Sequence, residues 1–193
     1  MKKIWWIILA IIVVIILLFV GKYNSMVNLD ESVKTSRSQV ENVYQRRLDL
    51  IPNLVQTVKG IANQEQAVFI GVTEARALAT KVNININDAK EFSQFQKSQG
   101  ELSSALTKLM AVAENYPDIK SNQNFLALQT QLEGTENRIA VERKNFNEKV
   151  KEYNIYLRVF PNNILASIFG FIKANLFEAT EGADQPPVVN FNN

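Results

Sequence analysis

The 193 residues contain neither histidine nor cysteine. Any chemistry must therefore rest on carboxylates, guanidiniums, lysines and tyrosines. A Ser-His-Asp or Cys-His device cannot be built, and the commonest zinc ligand and the thiolate ligands are missing. Asp30-Glu31 is a carboxylate pair that invites a cation, but adjacent helical residues diverge by about 100° and cannot chelate together without a third ligand. Gln45-Arg46-Arg47-Leu48-Asp49 is denser in functional groups. Arg46 and Asp49 stand three apart, the spacing of a pair along one helix face. Arg47 falls in line with Met26, Val33 and Val40, an unusual place for a charge. A carboxylate such as Glu142, on an inward-facing position of a later helix, would balance it. A buried pair of this kind fixes register more often than it catalyses, and a phosphate or lipid headgroup site is the competing reading. The run Glu133, Glu136, Arg138, Glu142, Arg143, Lys144 reads as a solvated face laced with pairs four apart. A di-iron cluster would need Glu-x-x-His on two helices. The glycines are isolated, so no phosphate-cradling loop is present. These readings imply no catalytic residue, no cofactor and no metal.

The elements that must position these groups are helical. Ile4 to Val20 is a run of 17 residues without a polar side chain, flanked by Lys2, Lys3 and Lys22. As a helix it spans about 26 Å, close to the ~30 Å hydrocarbon core of a bilayer. Ile4, Trp5, Trp6, Ile12 and Val20 are the residues we expect to meet lipid, with the indole rings near the headgroup level. The run is longer than a usual signal-peptide core, and Phe19-Val20-Gly21-Lys22 is a poor cleavage site. We therefore expect an uncleaved single-pass anchor over residues 1–21. Basic residues on the two sides nearly balance, and the dense Lys2-Lys3 cluster tips the domain toward the exported side.

Beyond the anchor, a three-four apolar spacing runs from Tyr23 through Met26, Leu29, Val33, Val40, Tyr44, Leu48, Ile51 and Val55 to Val58. It keeps phase through Pro52, which predicts a bent helix rather than a hairpin there. Gly60 is a second candidate break. After it Ile61, Val68, Val72 and Leu78 carry helix to about Lys81. Val82 to Asn87 alternates like a strand, but with no partner strand it reads as an extended loop. Phe92, Phe95, Leu102, Leu106, Leu109, Ala113 and Tyr116 predict the next helix, capped by Asn87 or Asp88. Gly100 suggests close approach of a neighbouring helix. Phe125, Leu132, Ile139, Phe146, Tyr153 and Phe160 recur every seven residues, a one-sided seam with Leu128, Thr135, Glu142, Lys149 and Tyr156 as companions. Asn122 or Ser121 caps this helix and Pro161 ends it. A short apolar segment over 162–177, with Phe169 and Phe171, either closes the bundle or forms an interfacial or oligomer contact. The expected fold is all-α: a transmembrane helix, an antiparallel up-and-down bundle over 22–177 with a short C-terminal helix, and an extended polar tail over 178–193 that ends near Val188, Val189 and Phe191.

These segments resemble the LemA family. The resemblance is carried by Glu41 to Val55 (Glu-Asn-Val-Tyr-Gln-Arg-Arg-Leu-Asp-Leu-Ile-Pro-Asn-Leu-Val), by Val72-Thr73-Glu74-Ala75-Arg76-Ala77, and by Ala113-Glu114-Asn115-Tyr116-Pro117. Glu136 to Arg143, Tyr153-Asn154, Phe160-Pro161, Gly170-Phe171 and Phe177-Glu178 extend it. Ile61 stands where an aromatic is common and Phe146 where tyrosine is common. The resemblance implies a bacterial membrane-anchored helical bundle with no established enzyme activity. Together with the apolar segments, it leads us to expect a scaffold that binds membrane lipid and self-associates as a homo-oligomer at the cell envelope. The alternative is an adaptor for another envelope protein, such as a sensor or a membrane protease. A net charge of +2 gives no field suited to nucleic acid. The residues expected to carry structure or partner contacts are Arg46, Arg47, Asp49, Pro52, Glu142, Phe169 and Phe171.

Overall fold

The computed structural model describes residues 2–178. The described residues form six helices and no strand: α1 (Lys2–Lys59), α2 (Gln66–Lys81), α3 (Ala89–Asn115), α4 (Pro117–Lys120), α5 (Gln123–Arg158) and α6 (Asn162–Phe169). The 58 residues of α1 are about 87 Å of helix at 1.5 Å per residue. Residues Ile4 to Val20 are exposed on every side, and the first core residue, Met26, follows within two turns. One helix is therefore both the apolar rod and the spine of the bundle. It continues unbroken through Pro52.

The closest helix pairings are α1 with α5 and α2 with α3. Seen from the apolar rod, α1 runs away, α2 returns part of the way, α3 runs out again, and α5 returns the whole distance. Two apolar cores result. The proximal core joins Met26, Val33, Val40 and Tyr44 to Phe92, Phe95, Phe146, Val150 and Tyr153, and is closed by Leu165, Ala174 and Phe177. The distal core joins Leu48, Ile51, Leu54 and Val58 to Val72, Leu102, Leu109, Phe125 and Leu132. Burying each such side chain fully is worth about 1.5–3 kcal/mol, which is why the helices hold this register.

Local signals set the ends. The Asp88 carboxylate accepts from the Lys90 and Glu91 amides at 2.8 and 3.0 Å, and the Asn122 side chain caps α5 in the same way at 3.0 and 3.1 Å. The alternation in 82–87 is satisfied without a strand, because Ile84 and Ile86 turn into the proximal core as extended chain. Gly170, at φ 75°, closes α6 in the left-handed region, and the Phe171 amide returns to the Ala166 carbonyl at 2.9 Å. That reversal sends 171–178 back along the bundle.

Four expectations are corrected. Gly100 is exposed, with nothing within 4 Å of where its Cβ would stand, because the buried face of α3 carries Ser98 and Gln99 instead. Phe160 is outside the seam and 80% exposed, since α5 ends at Arg158. Leu78 is also exposed, while Ala75 and Ala79 face the core of α2. The companion stripe of α5 changes side: Thr135 is buried beside the upper seam, but Val150 and Leu157 accompany the lower one, leaving Glu142 half-buried and Lys149 exposed. A helix of 3.6 residues per turn drifts by about 20° per heptad against a strict seven-residue repeat, so the buried stripe rotates along α5. The tail over 179–193, including Val188, Val189 and Phe191, lies outside the described residues.

Candidate functional site

Arg47 occupies the fourth position of the Met26, Val33, Val40 stripe and is 2% exposed. It stands where the proximal core gives way to the distal one. Its Nη1 donates to Glu136 Oε1 at 2.9 Å and to Ser103 Oγ at 3.0 Å, and its Nη2 donates to Gln99 Oε1. The guanidinium also lies 5.1 Å from the centre of the Tyr44 ring. Three helices thus converge on one cation. The fork of donors on a guanidinium suits several acceptors at once. Its carboxylate partner, Glu136, is 41% exposed, so water reaches one side of the pair. Nε has no hydrogen-bond partner. Burial raises the Tyr44 phenol above its ordinary value, against the opposing pull of the Arg143 and Arg47 cations.

The carboxylate expected here was Glu142; the structure brings Glu136 instead. Residue 142 rotates to the rim with the drift of the stripe, and its carboxylate accepts from the Asn145 amide at 3.2 Å. Nor do Arg46 and Asp49 pair. Arg46 is exposed, and Asp49 accepts from the Gln45 amide at 2.8 Å, the four-apart neighbour on its own face. Asp30 and Glu31 are bridged by the Lys34 ammonium at 2.8 and 2.7 Å. These hydrogen bonds, that to Asp30 foremost, raise the Lys34 pKa.

Pro52 has a partner the sequence did not reveal. A helical proline offers no N–H to the carbonyl four residues back, which here belongs to Leu48. The Arg76 Nε of α2 donates to that carbonyl at 2.9 Å. Two of the segments that carry the family resemblance therefore meet at one hydrogen bond.

A second missed feature lies lower on α5. Asn154 accepts from the Ala174 amide at 3.0 Å and donates to the Ala174 carbonyl at 2.8 Å. Asn147, two turns earlier, does the same with Phe177 at 2.8 and 2.9 Å. Each amide side chain replaces the missing strand partner of an extended segment. Arg143 adds a bond to the Glu178 carbonyl at 2.7 Å, and its guanidinium lies 4.8 Å from the centre of the Phe177 ring. Tyr153 donates to the Ile172 carbonyl at 3.0 Å. Burial, reinforced by the Asp30 charge, pushes its phenol up to about 12. Phe171 and Phe169 sit nearest the apolar rod, 5.8 and 4.9 Å from Tyr23 between ring centres. The signal for this strap was the seven-residue spacing of Asn147 and Asn154 on one face. Glu136 and Arg143, read as part of a solvated face, are both drawn inward.

Comparison with known proteins fits this arrangement. The LemA family model matches residues 36–191. The magnetosome protein MamQ 2 of Paramagnetospirillum magneticum is 29% identical over 184 residues, covering 86% of this chain and 68% of the relative. MamQ of Magnetospirillum gryphiswaldense is 27% identical with the same coverage, and protein LemA of Metamycoplasma hominis is 21% identical over 165 residues, covering 85% of this chain and 72% of the relative. The α1 rod, the buried Arg47 and the strap all belong to a membrane-associated helical protein, and the chain is a member of the LemA family.

Proposed function

We propose that this protein is a non-catalytic scaffold that self-associates at the bacterial envelope. In this reading residues 1–21 anchor it, 22–177 form the working bundle and 178–193 a polar tail, with the bundle on the exported side. One observation carries the proposal: α1 passes from the apolar rod into the core without a joint. A bundle continuous with its anchor transmits position and load rather than swinging to meet a substrate. The charged groups most suited to chemistry are engaged in holding helices. Arg47 joins α1 to α3 and α5, Arg76 joins α2 to α1, and Arg143 holds the strap. The bare rod, exposed all round, offers the surface for association within the bilayer.

Light scattering on detergent-solubilised protein tests the proposal. The expected result is a protein mass well above the 21.9 kDa of one chain; a monodisperse monomer at micromolar concentration overturns it. A reporter fused after Asn193 tests the side of the membrane. The adaptor reading is favoured by one feature, an open groove of about 650 Å³ between α3 and α5, lined by Leu106, Met110, Leu132 and Glu136. Crosslinking in intact cells separates the two: crosslinks confined to copies of this chain favour the scaffold.

A further inference from the structure

Resting on the reading that α1 crosses a bilayer, we propose that the α5–α6 corner and α6 form a second membrane contact, a collar lying in the anionic headgroup region around the foot of α1. α5 returns antiparallel along α1, and Lys22 lies 5.7 Å from the centre of the Tyr156 ring. Two residues later α5 ends at Arg158, so the chain corner lies at the level where the apolar run meets Lys22. Phe169 stacks edge-on against Tyr23, three residues past Val20. At that level Phe160, Ile164 and Ile168 are 80, 51 and 69% exposed. Their spacing of four puts the two isoleucines on one face of α6, while Leu165 and Ala166 hold the other face to the core. Phe169 and Ile172 extend the outward patch.

In water this surface is costly; beside the apolar rod it is continuous with it. Charge points the same way. No Asp or Glu occurs from Tyr153 to Phe177 or from Gly21 to Leu29, whereas Lys22, Arg158 and Lys173 all lie in these stretches. Apolar residues rimmed by cations and free of carboxylates match the interface of an anionic bilayer, where such helices bury one face about 5–10 Å into the headgroup boundary. The collar fixes the bundle at one height and tilt, which a single rod would leave free to rotate.

The cysteine-free sequence allows a direct test. Full-length Ile12→Cys, Ile168→Cys and Thr130→Cys, each carrying an environment-sensitive fluorophore, are reconstituted into phosphatidylcholine–phosphatidylglycerol vesicles. Each is exposed to a lipid-borne nitroxide and to a water-soluble quencher. The expected result is lipid quenching at 12 and 168 and aqueous quenching at 130. Replacing phosphatidylglycerol by phosphatidylcholine should weaken lipid quenching at 168 and leave 12 unchanged. If 12 is quenched by lipid but 168 behaves like 130, the collar is overturned and the anchor stands. A label at 168 shielded from both quenchers means that protein, not lipid, covers the face, which also overturns it. Quenching at 168 that ignores headgroup charge overturns the anionic preference. Failure at 12 overturns the anchor reading itself.

Discussion

Arg47 and Pro52 are both residues that a core helix should reject, and each is retained with a partner that offsets its cost. Replacing Arg47 by Met keeps the volume but strands the Gln99 amide oxygen of α3 and unpairs the Glu136 carboxylate of α5. We expect a loss of about 2–4 kcal/mol in urea unfolding, from buried polar groups left without partners. Arg47→Lys should recover little, because a single ammonium cannot reach Glu136, Ser103 and Gln99 with the geometry of a fork. Full stability in Arg47→Met would mean that the three-helix junction contributes nothing. For Pro52 the argument is a coupling. Arg76→Met should cost about 1–2 kcal/mol in the native chain, where it orphans the Leu48 carbonyl. In a Pro52→Ala background residue 52 regains its N–H and the loss should shrink by about 1 kcal/mol. A double-mutant cycle with no coupling would show that the Arg76 bond is incidental. Sequence alone placed Arg47 on the inward stripe and carried the helix through Pro52, since both follow from stripe phase. It could not name Glu136 or Arg76, because partners 89 or 28 residues away depend on rotation and tilt that no local pattern records.

Helix periodicity was the legible part of the elements, and its main failure, the companion stripe of α5, has a geometric source. A seven-residue repeat describes the seam of α5 from Phe125 to Tyr153, yet its companions slide from Thr135 on one flank to Val150 and Leu157 on the other. A strict seven-residue seam would have kept Glu142 and Lys149 inward; the ordinary helical drift turns them out. The strap over 171–178 was illegible for a different reason. It has no period, and its backbone bonds go mostly to side chains of α5, with the Asn175 amide donating to the Ile86 carbonyl and the Glu178 amide to Gln96 of α3. The glycines follow the same logic. Gly100 on α3 and Gly134 on α5 are exposed within helices, with open space where a Cβ would stand. Each retains backbone freedom in the unfolded chain that alanine would remove. Gly100→Ala and Gly134→Ala should each stabilise the protein by about 0.5–1 kcal/mol, additively because the sites share no partner. A destabilising result at residue 100 would reinstate the close helix approach that its position first suggested.

At the scale of the molecule, the two cores are closed by different means, and the difference predicts how alkali opens it. The distal core is walled by α2 and α3, whereas the proximal core is sealed by a strap held through Asn147, Asn154 and the Tyr153 hydroxyl. Deprotonating Tyr153 removes the donor to the Ile172 carbonyl and places a phenolate beside Asp30. Its pKa is about 12 in the folded chain against 10.0 ordinarily. The folded state therefore holds this proton more tightly than the unfolded one. Its contribution to stability is complete below pH 10, declines as pH rises through the interval between the two values, and is gone above about 12. Tyr44, raised in the same direction by its burial, adds to the slope. Amide exchange between pH 10 and 12, referenced to unfolded-peptide rates, should show the 171–178 strap and the lower half of α5 losing protection before α2 and α3. Tyr153→Phe should lower stability at neutral pH by about 1 kcal/mol for the lost hydrogen bond. It should also flatten the alkaline decline, leaving only the part due to Tyr44. Loss of protection throughout the bundle in a single step, with the same slope in Tyr153→Phe, would mean that the two cores unfold as one and that the strap is no weaker than the helices it seals.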